Sequence, residues 1–180
     1  MSLEAGAHRF GPENGTLIVK TARSGAASKA GHDLVLEVTS WAATLEVDEA
    51  LAQARIELSA DASSLRVREG RGGIQALDDG DKAGIQKTID DEVLNGTRIE
   101  FRSSTVGAGP SPLNVEGELE LAGQAHPIAF ELTVGEDGRL AALARVRQTQ
   151  WGIKPYSTLF GTLKVTDEVE VVLQASLPSS

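Results

Sequence analysis

Residues 114–134 read NVEGELELAGQAHPIAFELTV, and apolar side chains recur there at every second position. Val115, Leu119 and Leu121 form one series, and Ile128, Phe130, Leu132 and Val134 form the next. Glutamates and Thr133 occupy places between them. Period two marks strands with one dry face and one wet face. Setting Leu121 opposite Ile128 and Leu119 opposite Phe130 collects the apolar residues on one side of an antiparallel hairpin. That register turns through Gly123 to His126. The dry face must then meet another sheet, a helix, or a molecule outside the protein.

The alternation extends over most of the chain. Strands are expected at 15–23, 54–61, 97–104, 139–149 and 167–177. The stretch 32–47 alternates through His32, Leu34, Leu36 and Val38, then resumes on the other parity at Trp41, Ala43, Leu45 and Val47. A bulge near Thr39-Ser40 accounts for the change. One segment breaks the rule. In 81–96, Ile85, Ile89 and Val93 stand four apart, which is one apolar stripe on a helix. Asp78, Asp79 or Asp81 can cap its start, and Asn95-Gly96 ends it. The expectation is one all-β domain over residues 1–180: antiparallel strands in a sandwich or barrel, with one inserted amphipathic helix. The stretch 68–73, REGRGG, lacks the strand-loop-helix setting of a phosphate cradle and reads as a flexible loop.

Composition narrows what the dry face touches. Of 180 residues only four are Phe, two Trp and one Tyr, while 19 are Gly. A barrel of about eight strands is either filled by side chains or holds one small ligand. So few rings make filling difficult, and a gap lined by Leu, Val, Ile and Phe forfeits dispersion contacts. A barrel around an elongated apolar guest is therefore expected. The alternatives are a well-packed barrel, or a sandwich whose helix plugs the gap. Cysteine is absent, which excludes disulfides and thiolate metal sites. The net charge of -9 disfavours phosphate backbones and anionic lipid surfaces, so nucleic acid and stable membrane insertion are not expected partners. No apolar run has the length of a membrane span. The start of the chain lacks a basic patch followed by an apolar run, so no signal peptide is expected and the location is expected to be cytoplasmic.

Five segments together resemble the YceI-like family. They are DASSLRV (61–67), the helix followed by TRIEFRSS (97–104), VEGELELAGQAHPIAFELTV, RQTQWGI (147–153) and DEVEVVLQASL (167–177). Gly117, Leu119, Leu121 and Gly123 match that family's Gly-x-Leu-x-Leu-x-Gly hairpin. The resemblance covers roughly residues 15–177. It implies a lipocalin-like antiparallel β-barrel that binds a polyisoprenoid or other long-chain amphiphile, often as a homodimer. It implies no cofactor and no catalytic residue. Many members are exported, and on that point this sequence departs from the pattern.

Candidate ligand contacts follow from the inward parity. From the strands they are His32, Leu34, Leu36, Leu58, Phe101, Leu119, Phe130 and Leu132. From the helix they are Ile85 and Ile89. His32 shares parity with Leu34, so it either meets a ligand's polar end or bonds a local backbone carbonyl; the second is favoured. Adjacent His32 and Asp33 point to opposite faces of a strand, so Asp33 cannot orient His32 in a nucleophile system with Ser24. The segment 150–161 carries Trp151, Tyr156 and Phe160, which either rim the cavity or form a satellite core. Tyr156 is the other candidate for the head of the guest. Histidines at 8, 32 and 126 do not make a metal spacing, and the carboxylates of 78–81 suit a helix cap better than calcium. Two other functions remain: a small cavity enzyme using His32, and an interaction protein whose barrel is filled.

Overall fold

A computed structural model describes residues 3–49, 53–158 and 163–178. The chain opens with strands β1 (Gly6–Phe10), β2 (Gly15–Lys20) and the short β3 (Arg23–Ser24). Next come β4 (Asp33–Val38), β5 (Trp41–Val47), β6 (Ala54–Asp61) and β7 (Leu65–Arg71). Helix α1 (Asp79–Thr88) follows and runs on as a π-helical turn over Ile89–Leu94. After it come β8 (Arg98–Val106), β9 (Leu113–Leu121), β10 (Gln124–Val134) and β11 (Arg139–Arg147). Two short strands, β12 (Ser157–Thr158) and β13 (Leu163–Val165), precede β14 (Glu168–Ser176). One antiparallel sheet holds eleven of these strands.

The sheet closes on itself because two pairs of its strands are single strands with a bend. β4 and β5 part at Thr39-Ser40, where the sequence places a bulge, and β6 and β7 part at a 3-10 turn over Ala62–Ser64. β5 pairs with β6, and past the bends β4 pairs with β7. The ladder runs through the corner: Thr39 N donates to Ser64 O at 3.1 Å, and Asp61 N donates to Ser40 O at 3.0 Å. This bent ribbon meets β2 through β4 and β8 through β6. From β8 the pairing continues through β9, β10, β11 and β14 back to β2. Counting each bent strand once, with β1 and β2 as a third such pair, the ring has eight strands, all antiparallel. Such a wall has no free edge around its middle.

Four local readings are corrected. The β9–β10 hairpin pairs Leu121 with Gln124, Leu119 with His126 and Val115 with Phe130, four positions from the expected register. The cause is a tight turn at Ala122-Gly123, both at positive φ (51° and 78°), which suits strand twist better than a longer loop. An even shift leaves every side chain on its expected face. Residues 68–71 are strand rather than loop, paired with β4. Residues 6–10 form β1, which the alternation did not mark. Residues 148 and 149 belong to a 3-10 turn at 148–151 and not to β11.

Helix α1 starts where the aspartates indicate. Asp78 Oδ1 accepts from Asp81 N at 2.7 Å, and Asp81 Oδ2 accepts from Asp78 N at 3.1 Å, a reciprocal cap. Asn95, in the left-handed region at φ 50°, ends the π turn. Nothing on α1 itself is fully buried, though Leu94 is. The buried core consists of the inward residues of the ring, among them Leu17, Leu36, Leu45, Phe101, Val115, Leu132 and Leu140. No helix among the described residues is long and apolar enough to cross a membrane.

Candidate functional site

The inward faces do not meet in the middle. They enclose a cavity of about 850 Å³, at the upper end of the usual range for small-molecule sites. Every full strand of the ring contributes to its wall. Val171 and Leu173 come from β14, Leu119 and Leu121 from β9, and Ile56 and Leu58 from β6. Ala43, Ala60, Ala142 and Ala144 occupy inward places where a larger residue would fill the space. The hollow is thus written in small side chains at core positions. Inside, the Phe101 and Phe130 rings pack tilted at 56°, with centroids 5.4 Å apart. Gly117 makes room for Phe101, since a Cβ there would lie 2.6 Å from the ring and 2.3 Å from the Arg102 carbonyl oxygen. Helix α1 and its π turn close part of the cavity with Ile85, Ile89, Val93 and Leu94.

Polar residues gather at one region of the lining, where β3 and β13 pair and the loop after β7 passes: Thr21, Arg23, His32, Tyr156 and Lys164. Arg23 is held on several sides. Its Nη1 donates to the carbonyls of Gly31 and Arg71, and its backbone N donates to Asp33 Oδ1 at 2.9 Å. His32 Nε2 lies 2.6 Å from the carbonyl oxygen of Gln75. Two glycines let the 70–75 segment press against both side chains. A Cβ on Gly72 would lie 2.2 Å from Arg23 Nη1, and one on Gly73 2.3 Å from His32 Nε2. Both glycines have φ of +78°, a conformation that a side chain would strain. The run first read as a flexible loop is a strand end and a clamp.

Eleven residues singled out from the sequence border the cavity: His32, Leu34, Leu36, Leu58, Ile85, Ile89, Phe101, Leu119, Phe130, Leu132 and Tyr156. Trp151 does not. It is 1% exposed, its Nε1 donates to Leu119 O at 2.8 Å, and its ring meets His126 edge-on at 5.5 Å. It belongs to the buried core itself, beside the stretch of β10 before Glu131 that β11 leaves unpaired. Phe160 lies outside the described residues. Sequence reasoning missed Arg23, Lys164 and Thr21; Thr21 and Arg23 continue the parity of Leu17 and Val19, but as polar residues they were not counted with the apolar face. Asp33 is turned to Arg23, away from any partnership with His32.

Two exposed carboxylates secure turns elsewhere. Asp167 accepts from the Thr149 hydroxyl at 2.7 Å and from Thr149 N at 2.8 Å; the hydroxyl bond foremost holds its carboxyl below the usual carboxylate range. Asp61 is lowered in the same way by the Ser63 hydroxyl and then by Ser63 N.

A family model described as the YceI-like domain matches residues 18–177. Among solved structures, BcnA of Burkholderia cenocepacia superposes with a TM-score of 0.64 at 16% identity, over 89% of this chain and 94% of that one. A Campylobacter jejuni YceI protein superposes with a TM-score of 0.53 at 12% identity, over 81% of this chain and 84% of that one. No curated protein sequence matches the chain. At these identities the two structures speak for the fold alone.

Proposed function

We propose, for a chain that belongs to the YceI-like domain family, non-enzymatic binding of a polyisoprenoid or other long-chain amphiphile inside the barrel. The apolar hollow of about 850 Å³ is the observation that carries this reading. An alkyl or prenyl tail entering it regains the contacts that the lining lacks, and loses water at about 25 cal/mol per Å² of apolar surface. The polar group of residues around Arg23, His32 and Tyr156 suits the head of such a molecule. The rival with a filled barrel loses its premise to the cavity. A cavity enzyme built on His32 finds less support, because Asp33 pairs with Arg23 and the ring's Nε2 is committed to a backbone carbonyl.

Native mass spectrometry of protein purified without detergent tests the proposal. A retained lipid mass is the expected result, and the same spectrum reads whether the protein is a homodimer. Delipidated protein should bind a hydrophobic fluorescent dye saturably at one site. Absence of both a retained mass and saturable dye binding would overturn the reading.

A further inference from the structure

The polar mouth also bears on which head group is accepted, an inference that rests on the lipid-binding reading above. His32 Nε2 faces the carbonyl oxygen of Gln75 at 2.6 Å. A carbonyl only accepts, so Nε2 carries the hydrogen, and in the neutral ring Nδ1 is left as a lone-pair acceptor. Nδ1 has no hydrogen-bond partner among the described residues. The ring is held against turning over, because Gly73 and Gly70 both pack on it at distances that leave no room for a Cβ without a shift. The neighbouring carboxylate that would reverse the tautomer, Asp33, is occupied by Arg23 N and its guanidinium.

The other charged groups of this region are two cations, Arg23 and Lys164, and Asp81, which is engaged in the cap of α1. Cationic and hydroxyl donors satisfy any oxygen-bearing head. Nδ1 of His32 is different, because it accepts and is satisfied only by a head that donates. An acceptor-only head would cover Nδ1 and keep water from it without replacing the bond.

We infer that the mouth selects amphiphiles with a hydroxyl head, such as prenols, prenylated phenols or hydroquinones, over ethers and quinones carrying the same tail. The head donates its O–H to His32 Nδ1. Its oxygen accepts from the donors beside it, of which Arg23 is held next to His32 by the Gly31 carbonyl and by the consecutive glycines 72 and 73.

The test uses the delipidated full chain and a matched pair, geranylgeraniol and its methyl ether, in competition with a hydrophobic fluorescent dye. In the unaltered protein the alcohol should displace the dye at about tenfold lower concentration than the ether, the size of one lost hydrogen bond at a covered site. His32→Phe should bring the two to equal potency, each compared with the dye affinity of that variant itself. Nitrogen-15 NMR of the unaltered protein supplies an arm that needs no substitution. The His32 Nδ1 resonance should mark an unprotonated nitrogen and should move on adding the alcohol but not the ether. Equal potency of alcohol and ether in the unaltered protein, or an Nδ1 resonance indifferent to the alcohol, would overturn this inference alone. Failure of the dye and both lipids to bind would overturn the lipid-binding reading and this inference with it.

Discussion

Ser64 is 5% exposed, and the two bends of the long ribbon converge on it. Its hydroxyl donates to Asp61 O at 2.8 Å and accepts from Ser40 N at 3.1 Å, while its carbonyl takes Thr39 N and Thr39 Oγ1. Ser64→Ala leaves the Ser40 N–H without its partner, so a loss of about 1–3 kcal/mol is expected in urea unfolding. An unchanged midpoint would mean that the bends hold without it. Asp61 and Asp167 stabilise turns through carboxylates whose folded pKa lies below the unfolded value. Their contribution is present above the unfolded value of about 3.9 and is lost as pH falls through the folded one. Thermal melts taken from pH 5 downward should therefore fall less steeply for the Asp61→Asn, Asp167→Asn double variant than for the unaltered protein. Equal slopes would assign the acid loss to other groups. At this scale the sequence was readable where a side chain obeyed the alternation, as Leu34 or Phe101 does. It was silent on Arg23, whose place depends on carbonyls from Gly31 and Arg71, the second 48 residues away.

Elements built from local signals were the most legible. The apolar stripe Ile85, Ile89, Val93 and the aspartates ahead of it located the helix, because capping and periodicity act within a few residues. The π turn at 89–94 was not foreseen, since nothing in a four-residue spacing announces an extra residue per turn. The hairpin shows the converse limit. Alternation specifies a face but not which of several same-face registers is used, and the choice fell to the two-residue turn at Ala122-Gly123. Asp78→Ala should cost helix α1 about 1 kcal/mol. Amide hydrogen exchange should then speed up in 79–88 while the strands keep their protection, as expected for an element with no fully buried residue of its own. Equal acceleration in β9 and β10 would show that the helix and wall open together.

For the whole molecule, scarcity of rings and abundance of small residues pointed to a hollow, and the alanines that line it bear that logic out. Closure was less legible, because it depends on pairings between distant segments and on bends that let one strand serve two neighbours. Ala142→Phe, at an inward position of β11 flanked by Leu132 and Leu173, should reduce dye binding severalfold. It should also raise the melting temperature of the empty protein by a few degrees, as a ring gains contacts in a gap. Unchanged dye capacity would place the bound molecule elsewhere.

The joint between β14 and β2 has a consequence for biogenesis. It unites residues 168–176 with residues 15–20, so the wall stays an open trough, oily side exposed, until residue 176 has left the ribosome. Loop-closure entropy makes so distant a contact slow to form. The nascent chain is therefore at greatest risk of clumping just before β14 arrives, and that interval is when a chaperone protects it most.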